Sequence, residues 1–206
     1  MVVLGDLAGL NYNGPTDEIR LDNRLIRVGP GVPGGELVWE FYDGTAWRTR
    51  AIGILVAGVG IAGWQVVTIL DNRPEQVSAR YEYGETAGGR VTLDVTLRRG
   101  MRTAMCLLSR NAAALLGLMC FAPMTATGAR MREDTADGNG HRLVFVSPRS
   151  YTPGPATGAM LSATSVTSFA FFIGLERSGA GAGDLAVDLM NQSLGYLAEE
   201  VRAVRR

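Results

Sequence analysis

Residues 58–70 read Gly58-Val59-Gly60-Ile61-Ala62-Gly63-Trp64-Gln65-Val66-Val67-Thr68-Ile69-Leu70, and the conformation of the run after the third glycine decides the fold. A helix opening at Trp64 would make this a phosphate-binding turn of an α/β protein, whereas a strand would make it a bend in an all-β one. Val66, Val67, Thr68 and Ile69 are β-branched, stiff at χ1 and better suited to a pleated surface than to a helix; Pro74 stops the run. With the apolar residues upstream, the segment predicts two buried strands, 52–56 and 64–70, divided by a Gly-rich bend. Residues 51–70 carry no charge and Arg48 and Arg50 flank one end, so a transmembrane span is the competing reading. Four glycines and Gln65 weaken a helix there. Strands are preferred, and no membrane span is expected.

The neighbouring segments carry the clearest period of two. Val77, Ala79, Tyr81 and Tyr83 alternate with Ser78, Arg80 and Glu82, and Val91, Leu93, Val95 and Leu97 alternate with Thr92, Asp94 and Thr96. Residues 84–89 supply the turn of an antiparallel hairpin with one face on a core. Upstream, Leu37-Val38-Trp39-Glu40-Phe41-Tyr42, then Asp43-Gly44, then Thr45-Ala46-Trp47 read as a second hairpin, with Asp-Gly supplying a two-residue turn. Further strands are predicted at 25–28, 142–146 and 167–175.

Two helices are expected. Residues 101–121 are rich in Met, Ala and Leu and uncharged from Asn111 to Phe121, which predicts a buried central helix. Leu185, Leu189, Leu194, Leu197, Val201 and Val204 recur at helical spacing, which predicts an amphipathic C-terminal helix over 184–206. Residues 125–140 read as an exposed loop. The organisation is an extended N-terminal arm (1–35), a β-rich core domain (36–183) and the C-terminal helix. The fold class is mainly β, made of antiparallel hairpins in a sandwich- or barrel-like arrangement.

Composition narrows function by exclusion. The 206 residues carry 20 basic and 20 acidic side chains, every strong cation being arginine, and the net charge of zero argues against nucleic acid as the main partner. Cys106 and Cys120 lack metal-ligand spacing and read as buried thiols. His141 is the single histidine, placed beside a turn, where a solvated ring is the simplest expectation. The pairs Glu133/Asp134 and Glu199/Glu200 diverge as neighbours in sequence, and no G-x-S-x-G elbow exists to expose a serine. Asp134, Asp137 and Asn139 lack the rest of a calcium loop. Met1 to Leu10 lacks the basic region of a secretory signal, so synthesis in the cytoplasm is expected. No residue is assigned a catalytic, cofactor-binding or metal role.

Gly58, Gly60 and Gly63, Glu82 about 20 residues on, and Gly88-Gly89-Arg90 together resemble the fingerprints of flavin-dependent amine oxidases and monooxygenases. That resemblance implies FAD or NAD held by Gly58, Gly60, Gly63 and Glu82, in an oxidoreductase. It is the alternative to the main expectation, because the β-branched run removes the helix N-terminus that would hold a pyrophosphate. Phe41-Tyr42-Asp43-Gly44-Thr45-Ala46-Trp47 resembles a ribbon common in bacteriophage tail, fibre and baseplate proteins, and residues 168–178 are similar to strands of phage structural proteins. The resemblance implies a virion protein, non-enzymatic and without cofactor. Its partners would be copies of itself in a homo-oligomer and other virion structural proteins.

Overall fold

The alternating apolar residues around the first hairpin are all buried: Val77, Ala79, Tyr81 and Tyr83 on one strand, Val91, Leu93, Val95 and Leu97 on the other. The computed structural model describes residues 9–13, 18–30, 36–61, 63–86, 89–120, 124–127, 130–135, 137–138, 140–147 and 159–177. The two strands are β8 (Gln76–Thr86) and β9 (Gly89–Arg98), antiparallel, with Tyr81 opposite Leu93 and Ala79 opposite Val95. On their other face Ser78 and Thr96 hydroxyls lie 2.8 Å apart, and the Arg80 guanidinium donates two bonds of 2.7 Å to Asp94. Such a two-pronged pair fixes register as well as charge.

The Gly-rich bend is a hairpin turn. β5 (Trp47–Val56) and β6 (Val59–Ile61) are joined by Ala57 and Gly58, with φ of 53° and 81°. Two consecutive positive φ angles make the type I′ geometry that matches strand twist, and this is why a glycine stands at 58. β7 (Trp64–Arg73) then pairs with β8, so residues 64–70 form a strand as expected, but not a buried one: Ile69 and Leu70 are 37% and 47% exposed.

Two layers share one core. β1 (Gly9–Asn13), β2 (Glu18–Asp22), β3 (Ile26–Pro30) and β4 (Leu37–Tyr42) pair in sequence, and β4 pairs with the first half of β5. The second half of β5 pairs instead with β10 (Thr103–Cys120), so this strand passes from one layer to the other. Beyond β10 the second layer continues through β14 (Ala159–Arg177), β13 (His141–Val146), β12 (Arg130–Glu133) and β11 (Met124–Thr127), with β9, β8 and β7 branching from β10 on the other side. Leu21, Val28, Trp39 and Phe41 of the first layer belong to the same buried cluster as Tyr81, Leu93, Leu108 and Phe171 of the second. Asn23, 3% exposed, clamps the layers: its amide donates to the Arg98 and Met101 carbonyls at 2.7 and 2.9 Å while its oxygen accepts from the Ile26 amide. A buried amide satisfied this way adds specificity that apolar packing lacks.

Several expectations are corrected. The central helix over 101–121 is instead β10, a strand of 18 residues. Ala104, Cys106 and Leu108 face the shared core, while Met105 joins Val144, Val146 and Phe172 in a second cluster on the opposite face. A strand apolar on both faces reads as a continuous run that period alone cannot tell from a buried helix. Pairing with β14 on one side and with β9 and β5 on the other then overrides the helix propensity of Met, Ala and Leu. β14 fits this crowding because Gly174 faces Thr103, where a Cβ would run into the Arg102 carbonyl oxygen.

The arm expected over 1–35 is likewise not separate in its described part: Leu21, Ile26 and Val28 are fully buried, and β3 is zipped to β4 with Val28 opposite Trp39. The Asp43-Gly44 turn has four residues, with Tyr42 opposite Trp47 and the Asp43 amide donating to the Ala46 carbonyl at 3.1 Å. The segment 125–140 contains β11 and β12 rather than only loop. The C-terminal helix expected over 184–206 lies outside the described residues. No helix among the described residues is long and apolar enough to cross a membrane, and residues 51–70 fall mostly within β5, β6 and β7.

Candidate functional site

Two places gather chemistry or unsatisfied surface. The first is where the β4–β5 loop of one layer meets the β12–β13 connection of the other. Asp43 sits in the β4–β5 loop because its short carboxylate can fold back on the turn: Oδ1 accepts from the Thr45 and Ala46 amides, each at 2.8 Å, and from the Thr45 hydroxyl at 2.7 Å. Its Oδ2 accepts from Arg48 Nε at 2.7 Å, which raises the arginine's pKa further, first through that hydrogen bond and then through the carboxylate's charge. Asp137 plays the matching part in the other layer, where Oδ1 accepts from the His141 amide at 2.9 Å and the main chain closes through Asp137 N to His141 O at 2.8 Å. Gly140, with φ of 77°, lets that loop turn.

His141 therefore does not lie on the solvated side of its turn. It opens β13, where His141, Leu143 and Phe145 alternate inward, and it is 5% exposed. Its Nδ1 is buried without a hydrogen-bond partner among the described residues, 3.8 Å from Asp137 Oδ1. Donor atoms of Asp43, Asp137 and His141 all lie within 4.8 Å of one another. The inward alternation across β13 was a usable sequence signal for this burial, hidden by the glycines beside it.

Arg50 and Glu133 brace the junction. Arg50 Nε is 3.1 Å from Glu133 Oε1, and its terminal nitrogen is 3.6 Å from Asp137 Oδ2. Glu133 Oε2 accepts from the Leu143 amide at 2.7 Å, so one carboxylate, with its side chain 8% exposed, ties β5, β12 and β13 together. Replacing a buried ion-pair partner strands the other charge. Glu133→Gln keeps the shape and an acceptor for Leu143 but not the charge, and it is expected to destabilise the protein by about 2–3 kcal/mol. Urea denaturation checks this: a double-mutant cycle with Arg50→Met should show the two losses overlapping, and additive losses would deny the pair its role.

The second place is a groove of about 320 Å³ on the outer face of the second layer, lined by Leu70, Met105, Leu107, Ala170 and Phe172 on its apolar side and by Asp71, Ser78, Asp94 and Thr96 on its polar side. β7 shapes its rim. A register shift between Ile69 and Asp71 interrupts the pairing with β8, and Leu70 stands there 47% exposed. Bulges re-aim side chains at sheet edges in this way. Among the described residues β7 pairs with β8 alone, so its other edge carries no described strand.

The residues of the dinucleotide-like pattern are placed differently from what FAD binding needs. Gly58 completes a hairpin turn and Gly63 leads into the strand β7, so no helix N-terminus follows them. Glu82 lies on β8, 3.0 Å from Arg90 of β9. Cys106 is a buried free thiol whose pKa burial pushes well up, the opposite of an activated nucleophile. The described residues define a two-layered antiparallel β protein with a polar junction between its layers and a groove, apolar on one side and polar on the other, beside an edge that carries no described strand. The chain matches no protein-family model and no curated protein.

Proposed function

We propose that this chain is a non-enzymatic structural component of a virus particle, of the phage tail or its host-facing apparatus, that works by assembling into a homo-oligomer alongside other virion proteins. The observation that carries the reading is the β7 edge, where Ile69 and Leu70 are exposed beside the groove that Leu107 also lines. An edge with apolar side chains and no described partner favours addition of another strand or subunit, main-chain bonds giving affinity and the groove giving selectivity. The phage-like ribbon at residues 41–47 and the phage-like segment at 168–178 supply the virion part of the proposal.

Light scattering on the purified chain tests it. A defined oligomer is expected, and Leu70→Lys combined with Leu107→Lys should shift it to monomer while leaving the stability within about 0.5 kcal/mol of the original, as for surface changes. A monodisperse monomer that binds no other virion protein would overturn the proposal, and a yellow preparation with a flavin spectrum would restore the oxidoreductase alternative.

A further inference from the structure

We propose that Asp43, Asp137 and His141 form a binding site for a single first-row divalent cation of the zinc class, tying the two layers together at their polar junction. The ligand set comes from opposite layers, Asp43 from the β4–β5 loop and Asp137 and His141 from the segment entering β13. An acidic pair alone would not define a site. The imidazole marks this one: His141 is only 5% exposed, yet its Nδ1 has no hydrogen-bond partner among the described residues. A buried polar atom left this way costs about 1–3 kcal/mol unless something binds it. A neutral imidazole nitrogen facing carboxylate oxygens is a metal-ligand arrangement.

Charge and distance agree. Asp43, Asp137 and Glu133 bring three negative charges to the junction and Arg48 and Arg50 bring two positive ones, leaving one negative charge for a cation when the imidazole is neutral. Bonds of about 2.0–2.2 Å in a tetrahedral zinc site hold donor atoms roughly 3.3–3.6 Å apart. The three donors lie within 4.8 Å of one another, so zinc would draw them together by at most roughly 1.5 Å. One nitrogen and two oxygens suit a borderline ion such as zinc and not calcium, which takes oxygen ligands. Three protein ligands leave a further position for water.

The chain holds a single histidine, which makes the test clean. Untagged, ring-¹⁵N-labelled protein is titrated with Zn²⁺ and the two imidazole nitrogens are followed by NMR. The expected result is a shift at Nδ1 that saturates at one zinc per chain, with Asp137→Asn weakening binding at least tenfold. Asparagine can still accept from the His141 amide, so the turn is retained. Should that variant nonetheless misfold, Co²⁺ on the wild-type protein decides: ligand-field bands without a thiolate charge-transfer band support the site. No change at Nδ1 in zinc excess, a shift confined to Nε2, or a thiolate band that places the ion on Cys106 or Cys120 overturns it.

Discussion

Trp39→Ala is expected to destabilise the protein by about 3–5 kcal/mol, a large fraction of the roughly 5–15 kcal/mol that holds a domain together. Trp39 is 1% exposed and stacks with Phe41 at 6.4 Å between ring centroids, 11° from parallel. It belongs to the first layer but to the same buried cluster as Tyr81, Leu93 and Phe171 of the second. Truncation therefore opens a cavity between the two layers. The loss in urea should come as one transition with an unchanged slope, because both layers rely on the same core. A loss under about 1 kcal/mol, or two separate transitions, would mean that the layers are stable independently. Phe41→Leu, which conserves more volume, should cost less than about 1.5 kcal/mol in the same experiment.

Alkaline pH should unfold the chain from the inside. Tyr81 and Tyr83 are buried, and burial raises the pKa of each phenol well above the ordinary value of about 10. Burial raises the Cys106 thiol in the same sense. Each folded-state value lies above its unfolded one, so above the unfolded value the unfolded chain releases a proton that the folded chain keeps. Stability is then complete at neutral pH and falls as pH rises, by about 1.4 kcal/mol per pH unit for each group. The decline starts near pH ~8.5 for the thiol and steepens above about pH 10 as the two phenols join. Denaturation midpoints across this range, with phenolate absorbance recorded alongside, measure it. Tyr81→Phe should remove one tyrosine's share of the slope at little cost at neutral pH, since the Tyr81 hydroxyl only donates to the Val28 carbonyl at 3.5 Å. A slope unchanged by that substitution would contradict the assignment.

Both experiments draw on residues whose burial is legible in the sequence. Where one face of a strand is apolar and the other polar, as in β8 and β9, the period of two names the element and its inward residues together. The same logic decided residues 64–70, where β-branching outweighed a glycine pattern suited to a phosphate site. Legibility failed where both faces are apolar. In β10, Met105 and Leu107 on the outer face hide the alternation of Ala104, Cys106 and Leu108, and composition then speaks for a helix. The candidate sites were less legible still. His141 looks like a loop residue beside Gly138 and Gly140, and nothing in residues 41–47 announces that Asp43 will face it across the layers.

By itself, then, the sequence determined the antiparallel β character, the strand between Trp64 and Leu70, and the inward sets of the central hairpin, because these depend on side-chain period and χ1 stiffness within a few residues. Tertiary structure alone decided that residues 103–120 are a strand, that residues 18–30 belong to the core, and that Asp43, Asp137 and His141 meet. Those outcomes depend on which strands find each other across long stretches of chain. Local propensity is worth only tenths of a kcal/mol per residue, and a paired, buried strand with partners on both sides outweighs it.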